Sequence, residues 1–345
     1  MRNDTRLAFN AYLQQVATLN GVGNASEKFT VSPTVQQRLE SQIQDTSAFL
    51  SAINNIGVDE QSGETVIIGV SGPSAGTQDT TGSAERTPRD LSSLDARGYT
   101  CTQTNFDTAL RYAQIDAWAK FPDFQTRLRD AIVKRQALDV MMIGFHGTSR
   151  AATSNLAAHP MLEDVNIGWL EKIRQNWPER RMHEVVAASN AIRVGHSAAG
   201  AVTDYDNLDA LVFDLTNELI DPWFREDPNL VCVMGRKLLA DKYFPLLNVN
   251  QRPEDQLAID MIISQKRVGG LQAIAVPFFP DNALLITRLD NLSRYYQIGS
   301  RRRTIRDWAP KDRIENFESS NDAYVIEQPG CVAFAENIVI SNGGH

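Results

Sequence analysis

The chain has 345 residues, of which 42% are hydrophobic and 22% charged, enough apolar material to bury a substantial core in roughly two domains. A formal charge of −8 and an isoelectric point near 5.2 argue against tight wrapping of nucleic acid, which needs clustered Lys and Arg to displace phosphate counterions. No run approaches the ~18 apolar residues of a membrane span, and the polar N-terminus is unlike a signal peptide.

Residues 4–20 place Phe9, Leu13, Val16 and Leu19 at helical spacing, and "NGVGNASEK" (20–28) behind them reads as a flexible linker. Together they make a detachable amphipathic arm. A second helix is expected from "SPT", with Ser32 as N-cap and Pro33 in the first turn. Its apolar face carries Val35, Leu39, Ile43, Phe49 or Leu50, and Ile53. A strand at 64–70, a polar segment from Ser71 to Arg97 and a returning strand at 98–106 read as a long two-stranded finger. The 27 residues between its strands have no apolar periodicity, and a loop so much longer than the ordinary ~4–6 residues is functional or disordered.

Residues 107–145 are helical in pattern, divided at Pro122. The second of these helices, 123–145, would run about 35 Å, long enough to be the spine of a domain. Residues 147–204 show one clear helix, at 165–177. Helices at 208–220, 236–247 and 254–264 then alternate with strands at 229–234, 272–277 and 283–288, a compact α/β module. The tail from Leu292 to Ile340 reads as strands separated by turns.

Motifs that suggest chemistry do not survive a check by position. "VIIGVSGPSAG" (66–76) starts like a phosphate loop, but a Walker motif closing at Gly76 needs glycine, lysine and a hydroxyl residue where Ser71, Thr77 and Gln78 stand. The missing lysine would supply the charge against a transferring phosphate. "RVGHSAAGAV" (193–202) resembles a nucleophile elbow at Gly195 and Ser197, but Ala199 replaces the closing glycine. The only histidine after Ser197 is the terminal His345, a poor place for a general base. His146, His159, His183 and His196 lack metal-ligand spacing, and Cys101, Cys232 and Cys331 are isolated thiols that fit a reducing compartment. No catalytic residue, cofactor or metal is therefore assigned. The basic cluster "GSRRRTIRDW" (299–308), followed by Asp312, Glu315 and Glu318, reads as inter-strand or inter-subunit ion pairing, with Arg301, Arg302 and Arg303 as candidates.

Arm, finger and spine, in that order, are parts built to reach neighbours. The strings "RLAFNAYL" (6–13), "KFTVSPTV" (28–35), "ERTPRD" (85–90), "DFQTRLRDAIVKRQALD" (123–139), "PMLEDVNIGWLEK" (160–172), "GRKLLADKYFP" (235–245), "IISQKRVGGLQAIAVPFFP" (262–280) and "DRIENFESSNDAYVIE" (312–327) run nearly end to end. In them the chain resembles the major capsid proteins of the Peduovirus (P-two-like) group of temperate, contractile-tailed phages. Departures lie mainly in 183–203 and at the C-terminus.

That resemblance implies an α+β fold of the Hong Kong 97 type. It assigns 1–29 to a removable arm, 30–59 to the N-arm helix, 60–103 to the E-loop finger, 104–207 to the P-domain with its spine, 208–285 to the A-domain and 286–345 to strands returning to the P-domain. It further implies pentamers and hexamers, with T=7 as the family expectation, in an icosahedral shell around double-stranded DNA. Expected partners are other copies of the chain, an internal scaffold with its maturation protease, and a portal protein, with no membrane. Assembly in the host cytoplasm leads to the virion. The protease would trim the arm near "SEKFTV" (26–31), and the Phe29–Thr30 bond is expected there as exposed backbone between two helices. A long hairpin gains stability across a neighbour, where Asp79, Glu85, Arg86 and Arg89 meet opposite charges. Two other readings are a serine hydrolase using Ser197 and a cellular nanocompartment of the same fold.

Overall fold

The computed structural model describes residues 1–67, 75–81, 85–86, 93–118, 124–195, 203–247 and 266–341. Helix α1 (Asn3–Asn20) ends at Gly21, whose φ of 65° is the left-handed conformation that glycine adopts without steric cost. Strand β1 (Phe29–Thr30) precedes α2 (Pro33–Asp45), which has Pro33 in its first turn. The apolar stripe expected on a single helix continues into α3 (Ala48–Ala52), so that Ile43, Phe49, Leu50 and Ile53 are all buried despite the break. Strand β2 (Asn54–Val58) follows, where the sequence pattern shows none.

Strands β3 (Ser62–Ile67) and β4 (Ser93–Thr100) pair antiparallel, with a bulge between Gly63 and Thr65. The return strand thus starts earlier than its pattern indicates and breaks at Cys101 before β5 (Thr102–Asn105). Strand β6 (Thr108–Arg111) takes residues that the pattern assigns to a helix, because their backbone pairs with Arg313–Asn316. Only α4 (Tyr112–Trp118) remains of that helix, and the spine follows as α5 (Phe124–His146). Helix α6 (Trp169–Asn176) crosses the spine at contact distance: a Cβ on Gly144 would stand 2.2 Å from the Trp169 ring, and one on Gly168 2.4 Å from the Gly144 carbonyl oxygen.

The remaining elements are β7 (Arg181–Met182), β8 (Ile192–Val194), α7 (Leu208–Leu219), β9 (Leu230–Met234) and α8 (Arg236–Leu247), followed by β10 (Arg267–Val268), β11 (Leu271–Ala275) and β12 (Leu284–Arg288). The chain closes with β13 (Leu292–Gln297), β14 (Arg302–Trp308), β15 (Arg313–Ile326), β16 (Ala333–Ala335) and β17 (Ile338–Ile340). The helix expected at 254–264 lies outside the described residues.

Two sheets organise the molecule. The first has the order β1-β14-β15-β13-β2, with β5 and β6 along the other edge of β15, so strands from both ends of the chain meet on one long central strand. The second has the order β10-β11-β9-β12-β16-β7, in which β9 and β11 run parallel. Strands β7 and β16 come from outside 208–285 and complete this second sheet. Between the sheets, Phe49, Phe145, Trp169, Phe279 and Tyr324 form a chain of tilted and edge-on aromatic contacts with centroids 5.0 to 6.1 Å apart. Helix α7 covers the second sheet with Leu208, Leu211, Val212 and Leu215, and α1 covers the first.

Candidate assembly interface

The described residues offer no catalytic constellation. They contain no group of three or more His, Cys, Asp or Glu able to hold a metal ion. The His146 Nε2 atom lies 2.7 Å from the Phe278 carbonyl oxygen, a bond that ties the end of the spine to the second sheet's loop. Burial pushes the Cys101 and Cys331 thiols up to about 11 and Cys232 to about 12, so all three are poor nucleophiles. Ser197, His196 and His345 lie outside the described residues.

The triplet Arg301, Arg302, Arg303 separates by strand alternation. Arg301, a candidate for inter-strand or inter-subunit pairing, is 0% exposed inside the chain. Its guanidinium donates to Glu318 at 2.6 Å, to Glu40 at 2.5 Å and to Gln136 at 2.8 Å, joining β15, α2 and α5. Glu40 and Asp322 also accept from Arg294, and Ser320 donates to Asp322. Burial works to raise the Glu318 carboxyl, but Arg301, Arg303 and Gln136 hold it below its usual range. Burial prevails at Asp322 and raises it. A charge pair left alone in such a place would be costly, and the closed network satisfies each carboxylate. Arg303 is half-buried and bonds Asn316 at 2.7 Å and the Tyr12 hydroxyl at 2.9 Å, so it too belongs to the chain's own packing. Arg302 alone of the three is exposed.

The arm is packed rather than loose. Phe9, Tyr12, Val16 and Ala17 are buried against Ile115, Ile305 and Ile314, whereas Leu19, expected on the buried face, is 54% exposed. Arg6 and the Tyr112 hydroxyl both reach Asp307. The Phe29–Thr30 bond is likewise not exposed linker. Phe29 is 8% exposed, and the pair lies opposite Arg303 and Arg302 on the edge of the first sheet. On either side, Val31 N–H donates to the Arg301 carbonyl at 2.8 Å and Ile305 N–H to the Ala25 carbonyl at 3.1 Å. Phe29 fills the space between the arm and β14, and this is the physical reason the backbone orders there.

The finger is fixed at its root and open at its tip. Cys101 N–H donates to the Gln61 carbonyl at 2.7 Å, and Tyr99 packs edge-on against Tyr295 at 4.9 Å. Residues 75–81 and 85–86 are exposed throughout. The Asp79 carboxylate accepts the Thr81 hydroxyl at 2.6 Å and the Thr81 N–H at 2.9 Å, and these bonds hold it below the usual range. Glu85 and Arg86 are exposed, and Arg89 lies outside the described residues.

Beside β14, the face of the first sheet turned away from α1 is open around Phe317, whereas farther along β15 Ala323 and Val325 are buried with Tyr295. It presents Arg302, Thr304 and Arg306 from β14 beside Phe317 and Ser319 from β15, and these line a groove of about 370 Å³ with Lys28 and Asn105. Phe317 is 41% exposed in the middle of its strand. Arg306 pairs with Glu315 at 3.1 Å and lies 3.7 Å above the Trp308 ring. Sequence inspection misses this face, because only the register of β14 on β15 brings residues 302–306 beside 317–319.

Comparison with known proteins decides what these surfaces belong to. The family model for phage major capsid proteins of the P2 family matches residues 8–338. The chain belongs to that family. A capsid protein of Escherichia phage P2 is 49% identical over 349 residues, covering 99% of this chain and 96% of that protein. A chain of the satellite phage P4 procapsid, solved with the size determination (Sid) protein, superposes with a TM-score of 0.82 at 47% identity over the full length of both chains. The capsid of an empty GTA particle covers 85% of this chain and 90% of its own at a TM-score of 0.52 and 13% identity, a likeness of fold alone. The α+β architecture is thus the Hong Kong 97-like capsid fold, and this P2-family member is a structural component of a phage head shell.

Proposed function

We propose that the protein assembles as pentamers and hexamers into an icosahedral shell around double-stranded DNA, with an internal scaffold and its protease removing the arm and a portal protein at one vertex. In this reading the chain is not an enzyme, and shells form in the host cytoplasm. The first sheet with α5 is the P-domain. The second sheet with α7 and α8 is the A-domain, including residues 181–182 and 333–335 that complete it. The paired root and tip of 60–103 are the E-loop that crosses a neighbour.

The observation that carries this reading is the finger, whose tip residues 75–81 and 85–86 are exposed on the single chain while its root is held against Tyr295. A polar extension of this length gains order only from another surface. Deleting residues 72–95 leaves a folded monomer that forms no stable shells, as seen by electron microscopy. Normal particles from that deletion would refute the assignment. Loss of about 29 N-terminal residues in assembled particles, read by mass spectrometry, distinguishes a processed head protein from a nanocompartment. A serine-directed probe should leave Ser197 unlabelled.

Cleavage between Phe29 and Thr30 requires β1 to leave β14 and Phe29 to leave its pocket, because a protease binds its substrate as extended, unpaired backbone. We place the cut there only in a copy whose arm has opened.

A further inference from the structure

We propose that cutting the chain between Phe29 and Thr30 does not itself release the arm: the first sheet is a peptide-binding site that keeps residues 1–29 seated, and the new carboxylate at Phe29, formed beside Arg302 and Arg303, fastens them there. This rests on the cleavage reading above, and adds that scission and departure of the arm are separate events.

The first argument is the seat. Phe9, Tyr12, Val16 and Ala17 of α1, with Ala25 and Phe29 behind it, are at most 9% exposed and pack with Ile115, Ile305 and Ile314. Polar contacts run along the arm. Arg2 N–H donates to Asp116 at 3.0 Å, Arg6 pairs with Asp307 at 2.5 Å, Arg303 donates to the Tyr12 hydroxyl at 2.9 Å and Ile305 N–H to the Ala25 carbonyl at 3.1 Å. The Asn20 side chain accepts the Ser32 N–H at 3.3 Å, a tie from arm to body across the cut. None of these contacts uses the Phe29–Thr30 amide. Scission therefore removes the tether and its high effective concentration, and an arm that opened to be cut closes again on the same contacts. Departure, by contrast, would uncover Ile115, Ile305 and Ile314 together as an apolar patch.

The second argument is the charge that the cut creates. Hydrolysis adds one water across the amide: the carbonyl carbon keeps its oxygen as a carboxylate, and the nitrogen takes both its hydrogens and becomes an ammonium. At neutral pH the carboxylate is fully ionised. It forms where Phe29 lies opposite Arg303 and Thr30 opposite Arg302. Arg302 is exposed, and Lys28 and Arg306 line the same groove, with Asp107 and Glu318 as its acidic members. Glu318 is already held by Arg301. The arm's new end thus gains charge-assisted bonds that the neutral amide lacks, while the Thr30 ammonium meets like charge and turns away.

The test uses the full-length chain with the recognition sequence of a site-specific protease inserted between Phe29 and Thr30. After complete scission, shown by denaturing mass spectrometry, the arm should stay with the body through gel filtration at physiological salt; an arm that elutes separately overturns the proposal. Phe9→Ala in the same chain should speed its loss by about 100-fold, and unchanged loss would overturn the seat. The resident arm is then exchanged for a labelled synthetic peptide of residues 1–29. A peptide ending in a carboxylate should bind about three- to fivefold more tightly than one ending in a carboxamide, and the difference should vanish in Arg302→Gln. Equal binding of the two peptides overturns the role given to the new charge. Particles processed by their own protease separate the two readings. If they hold no chain beginning at Thr30, the cleavage reading falls and this proposal with it. If they hold that chain but the protein with the inserted site sheds its arm, the cleavage reading stands and this proposal alone falls.

Discussion

Arg301, Arg302 and Arg303 are adjacent in sequence and end in three environments: a sealed ionic network, open solvent and the underside of the arm. Removing one member of a buried network strands its partners, so Arg301→Met should cost about 3–5 kcal/mol in a urea titration, with Glu40 and Glu318 left facing each other. A loss under 1 kcal/mol would mean that the network is far more hydrated than its geometry indicates. Its pH response has a definite sign. Glu318 is held below its ordinary 4.5, so its stabilisation is complete above that pH and is lost as pH falls through the depressed value. Asp322 is held above its ordinary 3.8 and acts in the opposite direction, its cost being relieved in acid. Because Asp322 is common to both proteins, the unmodified chain should lose more of its denaturation midpoint between pH 5 and pH 3 than Glu318→Gln does; equal losses would contradict this account. At the crossing of α5 and α6, Gly144→Ala drives a methyl group into the Trp169 ring and should lower stability by about 1–3 kcal/mol.

At the scale of elements, legibility follows how local the cause of each element is. Helices α5 and α7 and strand β9 could be read directly, because long periodic or continuous apolar runs specify them wherever they pack. Strands β2 and β6 could not, since Asn54–Val58 and Thr108–Arg111 are extended only by pairing with β13 and β15, far along the chain. Helix α1 was legible as a helix and, in Phe9, Leu13 and Val16, for most of its packed face; Leu19 shares their spacing but is exposed, a choice that belongs to the sheet beneath. The same holds for the candidate site. Arg302 stands out as a charged residue in the sequence, whereas Phe317 comes beside it and Arg306 only through strand register. The packing of the arm can be tested alone. Phe9→Ala should weaken its hold by about 3 kcal/mol, on the order of 100-fold in the open population, and raise cleavage between residues 20 and 30 by a non-specific protease accordingly. Unchanged cleavage would mean that the polar contacts of Arg6 and Tyr112 with Asp307 hold the arm.

Taken whole, the molecule combines an acidic average with a sheet face on which Lys28, Arg302 and Arg306 stand beside Asp107. Its topology carries a further consequence, which concerns time. Strand β15, residues 313–326, receives β13 and β14 on one edge and β5 and β6 on the other, and β1 and β2 join through those partners. Until β15 has been made, the first sheet has no centre, and such non-local pairing is slow to form. A fragment ending at residue 312 should therefore show no cooperative unfolding of this sheet; a sharp transition from that fragment would show that the other strands suffice. It follows that the open face beside β14 and the surface that seats the arm are complete only after residues 313–326 have been added. A growing chain that has not reached residue 326 therefore has no completed first sheet to offer to any other copy.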